Sequence, residues 1–97
     1  MGSFMLTQKA RDDLLAIGRY TRRQWGKAQQ IGYLTQLDGA FHDLADKPDL
    51  GLACDDIREG YFKYGVGKHV IFHRSTGKSR IEIVRILHGR RDIEQHL

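Results

Sequence analysis

The sequence predicts one small α+β domain, in which a helix hairpin covers one face of an antiparallel sheet. Apolar residues recur at helical spacing across the first half of the chain, and the spacing changes to two from Ile57 onward. With 97 residues there is no room for two separate cores, so both patterns belong to a single domain spanning 1–97. The expected order is a short N-terminal strand, an antiparallel helix hairpin, a three-stranded antiparallel meander and a short C-terminal helical turn.

Phe4-Met5-Leu6 is a short apolar run that reads as the first strand, and Met1-Gly2-Ser3 has the look of a cloning scar ahead of a natural start near Phe4 or Met5. Such a strand is expected to join the main sheet, since alone it would leave its apolar side chains in water. Thr7 is a natural N-cap, its hydroxyl placed to accept from the free amides of the first turn. Ala10, Leu14, Ile17, Thr21 and Trp25 then recur at helical spacing and predict one buried stripe from Gln8 to Trp25. Gly26 sits where a left-handed cap would end that helix. A second helix is expected from about Lys27 to Asp46, with Ile31, Leu34, Leu37, Phe41 and Leu44 as its stripe. So little chain between the two forces an antiparallel hairpin.

Lys47-Pro48-Asp49 stops the second helix, and the stretch to Asp56 reads as a loop. Ile57, Glu59 and Tyr61 alternate with Arg58, Gly60 and Phe62, which predicts a strand. Lys68 to Arg74, around Val70-Ile71-Phe72, is the next strand, Ser75-Thr76-Gly77-Lys78 a turn, and Arg80 to Leu87 the last strand. One face of this meander needs cover, and the helix stripes supply it.

The formal charge is +4, and it is unevenly spread. Residues 1–50 carry seven Lys/Arg against six Asp/Glu, whereas Arg58 to Arg91 holds nine basic residues and only Glu59 and Glu82 as acids. That imbalance suits an acidic partner, either nucleic acid, an acidic protein segment or a membrane surface; the alternative is a solvated basic face. Cys54 is the only cysteine, which rules out an internal disulfide and fits a reducing compartment. Asp55 and Asp56 beside it disfavour a thiolate nucleophile. No apolar run approaches the roughly 20 residues that span a bilayer, and no signal-peptide pattern opens the chain. A cytoplasmic protein without membrane contact is expected.

Few residues suggest cofactor or metal chemistry. His69 and His73 are four apart, but on a strand that spacing places them about 13 Å apart, too far to share a metal ion. Tyr64-Gly65-Val66-Gly67-Lys68 resembles the tail of a phosphate loop, yet no helix follows and a hairpin connection explains it better. No metal and no cofactor are expected. Arg58, Lys63, Lys68, Arg74, Arg80, Arg85, Arg90 and Arg91 remain, with Tyr61, Phe62 and Tyr64 among them. Such a surface could hold RNA or receive an acidic peptide. Arg85 shares alternation with Ile81, Ile83 and Leu87, so it is expected to be partly buried and to need a carboxylate or carbonyl partner. After Leu87, Gly89 breaks the strand and puts Arg90-Arg91 on an exposed corner beside His88. Asp92 to Leu97 reads as a helical turn with Ile93 and Leu97 facing inward.

In this order the elements, closed by Arg85-Ile86-Leu87-His88-Gly89-Arg90-Arg91-Asp92, resemble the ParE branch of the RelE/ParE toxin superfamily. Leu6-Thr7-Gln8-Lys9-Ala10, Asp13-Leu14-Leu15-Ala16-Ile17 with Tyr20-Thr21, Trp25-Gly26, and Asp56-Ile57-Arg58-Glu59-Gly60-Tyr61-Phe62 are also similar to it. The resemblance implies the toxin of a bacterial type II toxin–antitoxin pair that inhibits DNA gyrase, blocks replication and arrests growth, as in plasmid or chromosome stabilisation. It further implies neutralisation by a ParD-like antitoxin in a hetero-oligomer.

The related RelE branch instead cleaves messenger RNA on the ribosome, which needs cations for the phosphorane and a base for the ribose 2′-hydroxyl. For that alternative the candidate catalytic residues are His88, Arg58 and Arg91. The terminal aromatic usual in that branch is missing, since the sequence here reads Gln95-His96-Leu97. Gyrase inhibition requires no catalytic group, only a docking surface, for which the candidates are His88, Arg90, Arg91 and Arg58. No direct sequence-specific nucleic-acid binding is expected.

Overall fold

A computed structural model describes residues 2–90 and 96–97. Strand β1 (Ser3–Leu6) leads into helix α1 (Gln8–Trp25), and helix α2 (Lys27–Asp46) returns antiparallel to it. A single 3-10 turn (Pro48–Leu50), then strands β2 (Leu52–Ala53), β3 (Tyr61–Val66), β4 (His69–Gly77) and β5 (Arg80–His88), complete the described order. The five strands form one sheet in the order β1-β5-β4-β3-β2. β1 runs parallel to β5, with Ser3 opposite Arg80, and every other pair is antiparallel. The sheet is therefore mixed, and β1 joins it as its length demanded. Ser3 belongs to that strand.

Local chemistry explains the helix boundaries. The Thr7 hydroxyl accepts from the Ala10 amide at 3.0 Å and donates to the Val84 carbonyl at 2.7 Å. One side chain thus starts α1 and ties it to the sheet edge. Gly26, at φ +92°, is the whole connection between the helices, a backbone conformation that favours glycine.

The main core lies between the helices and one face of the sheet. Leu37, Phe41 and Leu44 of α2 meet Ile71, Ile81, Ile83 and Ile86, all nearly inaccessible. Each such side chain contributes about 1.5–3 kcal/mol by leaving water. A second cluster, Cys54, Phe72 and Leu87 with Ile57, Tyr61, Val70 and Leu97, occupies the opposite face. The segment 54–61 and Leu97 cover it, so both faces of the sheet carry a buried cluster.

Several expectations need correction. Trp25 and Ile31 are 70% and 55% exposed, because the helical stripes run past the end of the sheet that covers them. Residues 47–56 contain the 3-10 turn and β2, too short to show a periodicity. The third-last strand starts at Tyr61, not Ile57: residues 54–60 form turns closed by Cys54 O accepting from the Ile57 and Arg58 amides. β4 continues through Ser75 and Gly77, leaving only Lys78 and Ser79 as the connection. Arg85 does not share a face with Ile81 and Ile83. Phe72 pairs with Arg85 but His73 with Ile83, so a bulge at Val84 reverses the alternation. Ile86 then faces the helices and Leu87 the second cluster. The expected helical turn over Asp92–Leu97 falls mostly on residues 91–95, outside the described residues; Leu97 does pack inward.

Candidate functional site

The end of β5 and the β3–β4 turn converge on one corner. Val66 pairs with His69 across the two-residue connection Gly67-Lys68, and His69 pairs with His88. The glycine-rich stretch is thus a hairpin turn, with Gly67 at φ +56°. Tyr33 of α2 lies against that glycine, where an added Cβ would come 2.8 Å from its ring. Its hydroxyl donates to the Val66 carbonyl at 3.0 Å and lies 2.6 Å from His69 Nδ1. With the single hydroxyl proton on Val66, His69 Nδ1–H donates to Tyr33 Oη. Burial raises the Tyr33 pKa, opposed by a hydrogen bond from the Lys68 amide, so the phenol keeps its proton.

His88 is held against this arrangement. Its ring sits edge-on to that of His69, with centroids 5.5 Å apart. Beyond it, the Gly89 amide donates to Lys68 O at 2.9 Å, and the Arg90 amide donates to His88 Nδ1 at 3.2 Å. Nδ1 acts as acceptor, so neutral His88 carries its proton on Nε2. Arg90 is exposed. Arg91 lies outside the described residues.

Arg58 has an internal task. Its Nη1 donates to the Leu97 main-chain oxygen at 2.7 Å, and its guanidinium stands 5.6 Å from the Tyr61 ring centroid. Arg85 works beside it, donating from Nη1 to His96 O at 2.8 Å. The rest of the Arg85 fork is structural: Nε and Nη2 each donate to the Asp13 carboxylate at 2.9 Å. Asp13 also accepts from the Ile86 amide at 2.9 Å, which seals the β5 edge beyond the reach of β1. Both side chains of this pair are little exposed, and the Asp13 hydrogen bond raises the Arg85 pKa against the opposing effect of burial.

Of the four sequence candidates, His88 and Arg90 thus meet at the corner, and Arg58 holds the chain end over the second cluster. Sequence reasoning did not find the supporting residues Tyr33, His69 and Asp13. His69 meets His88 through strand register and Tyr33 reaches them by helix–sheet packing, neither of which a local pattern encodes. Asp13 did leave a trace, as a carboxylate beside Leu14 at the margin of the buried stripe. Cys54 is buried, and its pKa is raised chiefly by desolvation, with Lys63 opposing and Asp56 and Asp55 adding to the rise. It is an inert thiol. No group of three or more metal-ligating side chains occurs among the described residues, and no described helix is long and apolar enough to cross a membrane.

With this geometry in view, the comparison with known proteins is decisive. Residues 4–93 match the family model of the ParE toxin of type II toxin–antitoxin system, parDE. The chain belongs to the ParE toxin family. Within the RelE/ParE superfamily, it is 39% identical over 94 residues to Toxin ParE1 of Mycobacterium tuberculosis, covering 97% of this chain and 96% of that one. It is 32% identical to Toxin ParE1 of Caulobacter vibrioides over 97 residues, covering 100% and 99% of the two chains. The fold is also that of a chain solved as "Chromosomal ParDE TA system from P. aeruginosa", with a TM-score of 0.77 at 21% identity over 91% of this chain and 96% of that chain. The ParE-like arrangement of strand, two helices and antiparallel strands is thereby established.

Proposed function

We propose that this chain is a toxin that inhibits DNA gyrase, docking through the corner formed by His88 and Arg90, with Arg91 next in sequence as a further docking candidate and Arg58 holding Leu97. Family membership supplies the class of activity. The observation that favours docking over RNA cleavage is the Arg90 amide on His88 Nδ1. A general base needs a free lone pair, and the neutral ring here has one nitrogen accepting and the other protonated. His88 is thereby suited to present a donor to a partner surface.

A ParD-like antitoxin is the proposed neutralising partner, forming a hetero-oligomer. Support comes from an apolar groove of about 380 Å³ between α1, α2 and β1, lined by Phe4, Leu6, Leu14, Leu15, Leu34 and Phe41. Leu15, in its lining, remains 59% exposed. Arg11 and Asp38 stand at its rim, so an amphipathic segment finds both apolar and charged contacts there.

The decisive experiment is a gyrase supercoiling assay with purified, folded protein. Inhibition with trapped cleavage complex is expected, and relief on adding the antitoxin. Full gyrase activity with no trapped complex would refute the reading. Messenger RNA cleavage in a translation extract, abolished by His88→Ala, would establish the ribonuclease alternative instead.

A further inference from the structure

The tip of the helix hairpin is chemically one-sided. Between Asp13 and Asp38 the chain has no acidic residue, yet it carries Arg19, Arg22, Arg23 and Lys27. All four cations are exposed, as are Tyr20 at 56% and Trp25 at 70%. None of the four cations makes an ion pair with a described residue. The near-balanced count over residues 1–50 conceals this segregation, because the acids cluster at Asp12-Asp13 and from Asp38 onward.

Helix electrostatics accounts for only part of it. Arg22 and Arg23 lie in the last turn of α1, where the dipole is negative and cations are stabilising. Lys27 opens α2, where the dipole is positive, no acid occupies the first turn and no side chain caps the free amides. Arg19 precedes the last turn altogether. A cation set against a dipole, next to a large aromatic left in water, breaks the local rules of stability, as binding surfaces do.

We infer that this tip is a second contact surface, which grips the phosphate backbone of duplex DNA without reading its sequence. The shape favours phosphate over an acidic peptide. Gly26 is the entire connection, and a Cβ built on it would meet nothing within 4 Å, so the turn is open to solvent. An acidic amphipathic segment needs apolar pockets between its charges. Neither the groove beside Leu15 nor a smaller one of about 310 Å³ between α2 and β3 is lined by these residues. Three of the four cations are arginines, whose planar forks bind phosphate oxygens in pairs. Spacing of three and four residues puts Arg19, Arg22 and Arg23 on neighbouring positions of α1. Tyr20 and Trp25 add amphipathic rings that tolerate a half-wet contact.

The test needs no gyrase, so its failure and that of the gyrase reading are separable. Trp25 is the only tryptophan, and its emission reports on the tip alone. A labelled mixed-sequence duplex of about 30 base pairs is titrated at several salt concentrations, following anisotropy and Trp25 emission together. Saturable binding with an emission change is expected. Four phosphate contacts predict a log–log salt slope of about −3.6, or roughly 150-fold weaker binding at about 200 mM than at about 50 mM salt. Replacing Arg19, Arg22, Arg23 and Lys27 together by Gln should abolish the slope, whereas Lys63→Gln with Lys68→Gln should leave it intact. If circular dichroism shows the fourfold variant unfolded, Arg19→Gln with Lys27→Gln should still halve the slope. No binding, or binding that survives these changes, overturns the inference. So does a Trp25 response to poly-glutamate or to phosphatidylglycerol vesicles but not to DNA, which would make the tip a protein-facing or membrane-facing surface.

Discussion

Both ring nitrogens of His73 are buried without a hydrogen-bond partner, and burial lowers the pKa of the imidazole. The ring stacks on Phe62 at 5.5 Å and lies under Gly51, where an added Cβ would come 2.5 Å from Nε2. The unfolded chain therefore binds a proton below about pH 6.5 that the folded chain refuses. Stability from neutral His73 is complete above that pH and is lost as pH falls, by up to about 1.4 kcal/mol per pH unit. Thermal melts at pH 7.5 and pH 5 should show a smaller acid loss for His73→Phe than for the parent chain. Equal losses would mean that other groups carry the acid sensitivity. On the docking proposal, Arg90→Ala with Arg91→Ala should weaken toxicity while changing stability by under about 0.5 kcal/mol. Urea unfolding alongside the toxicity assay checks this, and lost toxicity in an unfolded variant would remove the support for docking. Single residues were the least legible in the sequence. His73 reads there as one of five histidines on a strand, and only the packed structure reveals that it is orphaned.

At the scale of elements, the β5 edge is completed by a helix instead of a strand. β1 pairs with β5 only as far as Ile83; past that point Thr7 takes the Val84 carbonyl and Asp13 the Ile86 amide. Asp13→Ala should cost about 3 kcal/mol in urea unfolding, because it strands the largely buried Arg85 guanidinium along with that amide. Arg85→Met combined with Asp13→Leu should recover part of the loss, and no recovery would show that the edge amide dominates. In the β3–β4 hairpin, Gly67→Ala places a side chain at φ +56° and against Tyr33. A loss of about 1–2 kcal/mol from the left-handed backbone alone is expected, read from the urea midpoint. Helices α1 and α2 were legible because eighteen or more residues repeat a period. β2, with two residues, cannot repeat anything. The bulge at Val84 was invisible for another reason: in Ile81-Glu82-Ile83-Val84-Arg85-Ile86 nothing in the residue types marks which one is extra.

For the whole molecule, the class and the order of the major elements were read correctly from periodicity, and the resemblance to the ParE branch agrees with the family match over residues 4–93. The basic second half was legible as a charge count, but not its division of labour. Arg85 and Arg58 hold His96 and Leu97, Arg74 pairs with Glu82 at 2.9 Å, and Arg90 lies exposed at the corner beside His88, without an ion pair among the described residues. A count over half a chain likewise missed the cationic hairpin tip, because charges average out along a sequence and segregate in space.

The parallel pairing of β1 with β5 also governs when the protein becomes able to act. Ser3 waits for Arg80, and Thr7 for Ile83 and Val84, so the first strand lacks its sheet neighbour until β5 has been synthesised. The helices, likewise, have only part of their sheet to cover before β5 emerges. Stalled nascent chains released short of Arg80 should accordingly be digested rapidly by protease, and those that expose Leu87 should resist; early protection would show that the hairpin and β3–β4 fold alone. A ParE toxin built this way cannot close its sheet until β5 is free to meet β1, so a partner that recognises the folded chain finds its surface only after synthesis has passed that strand.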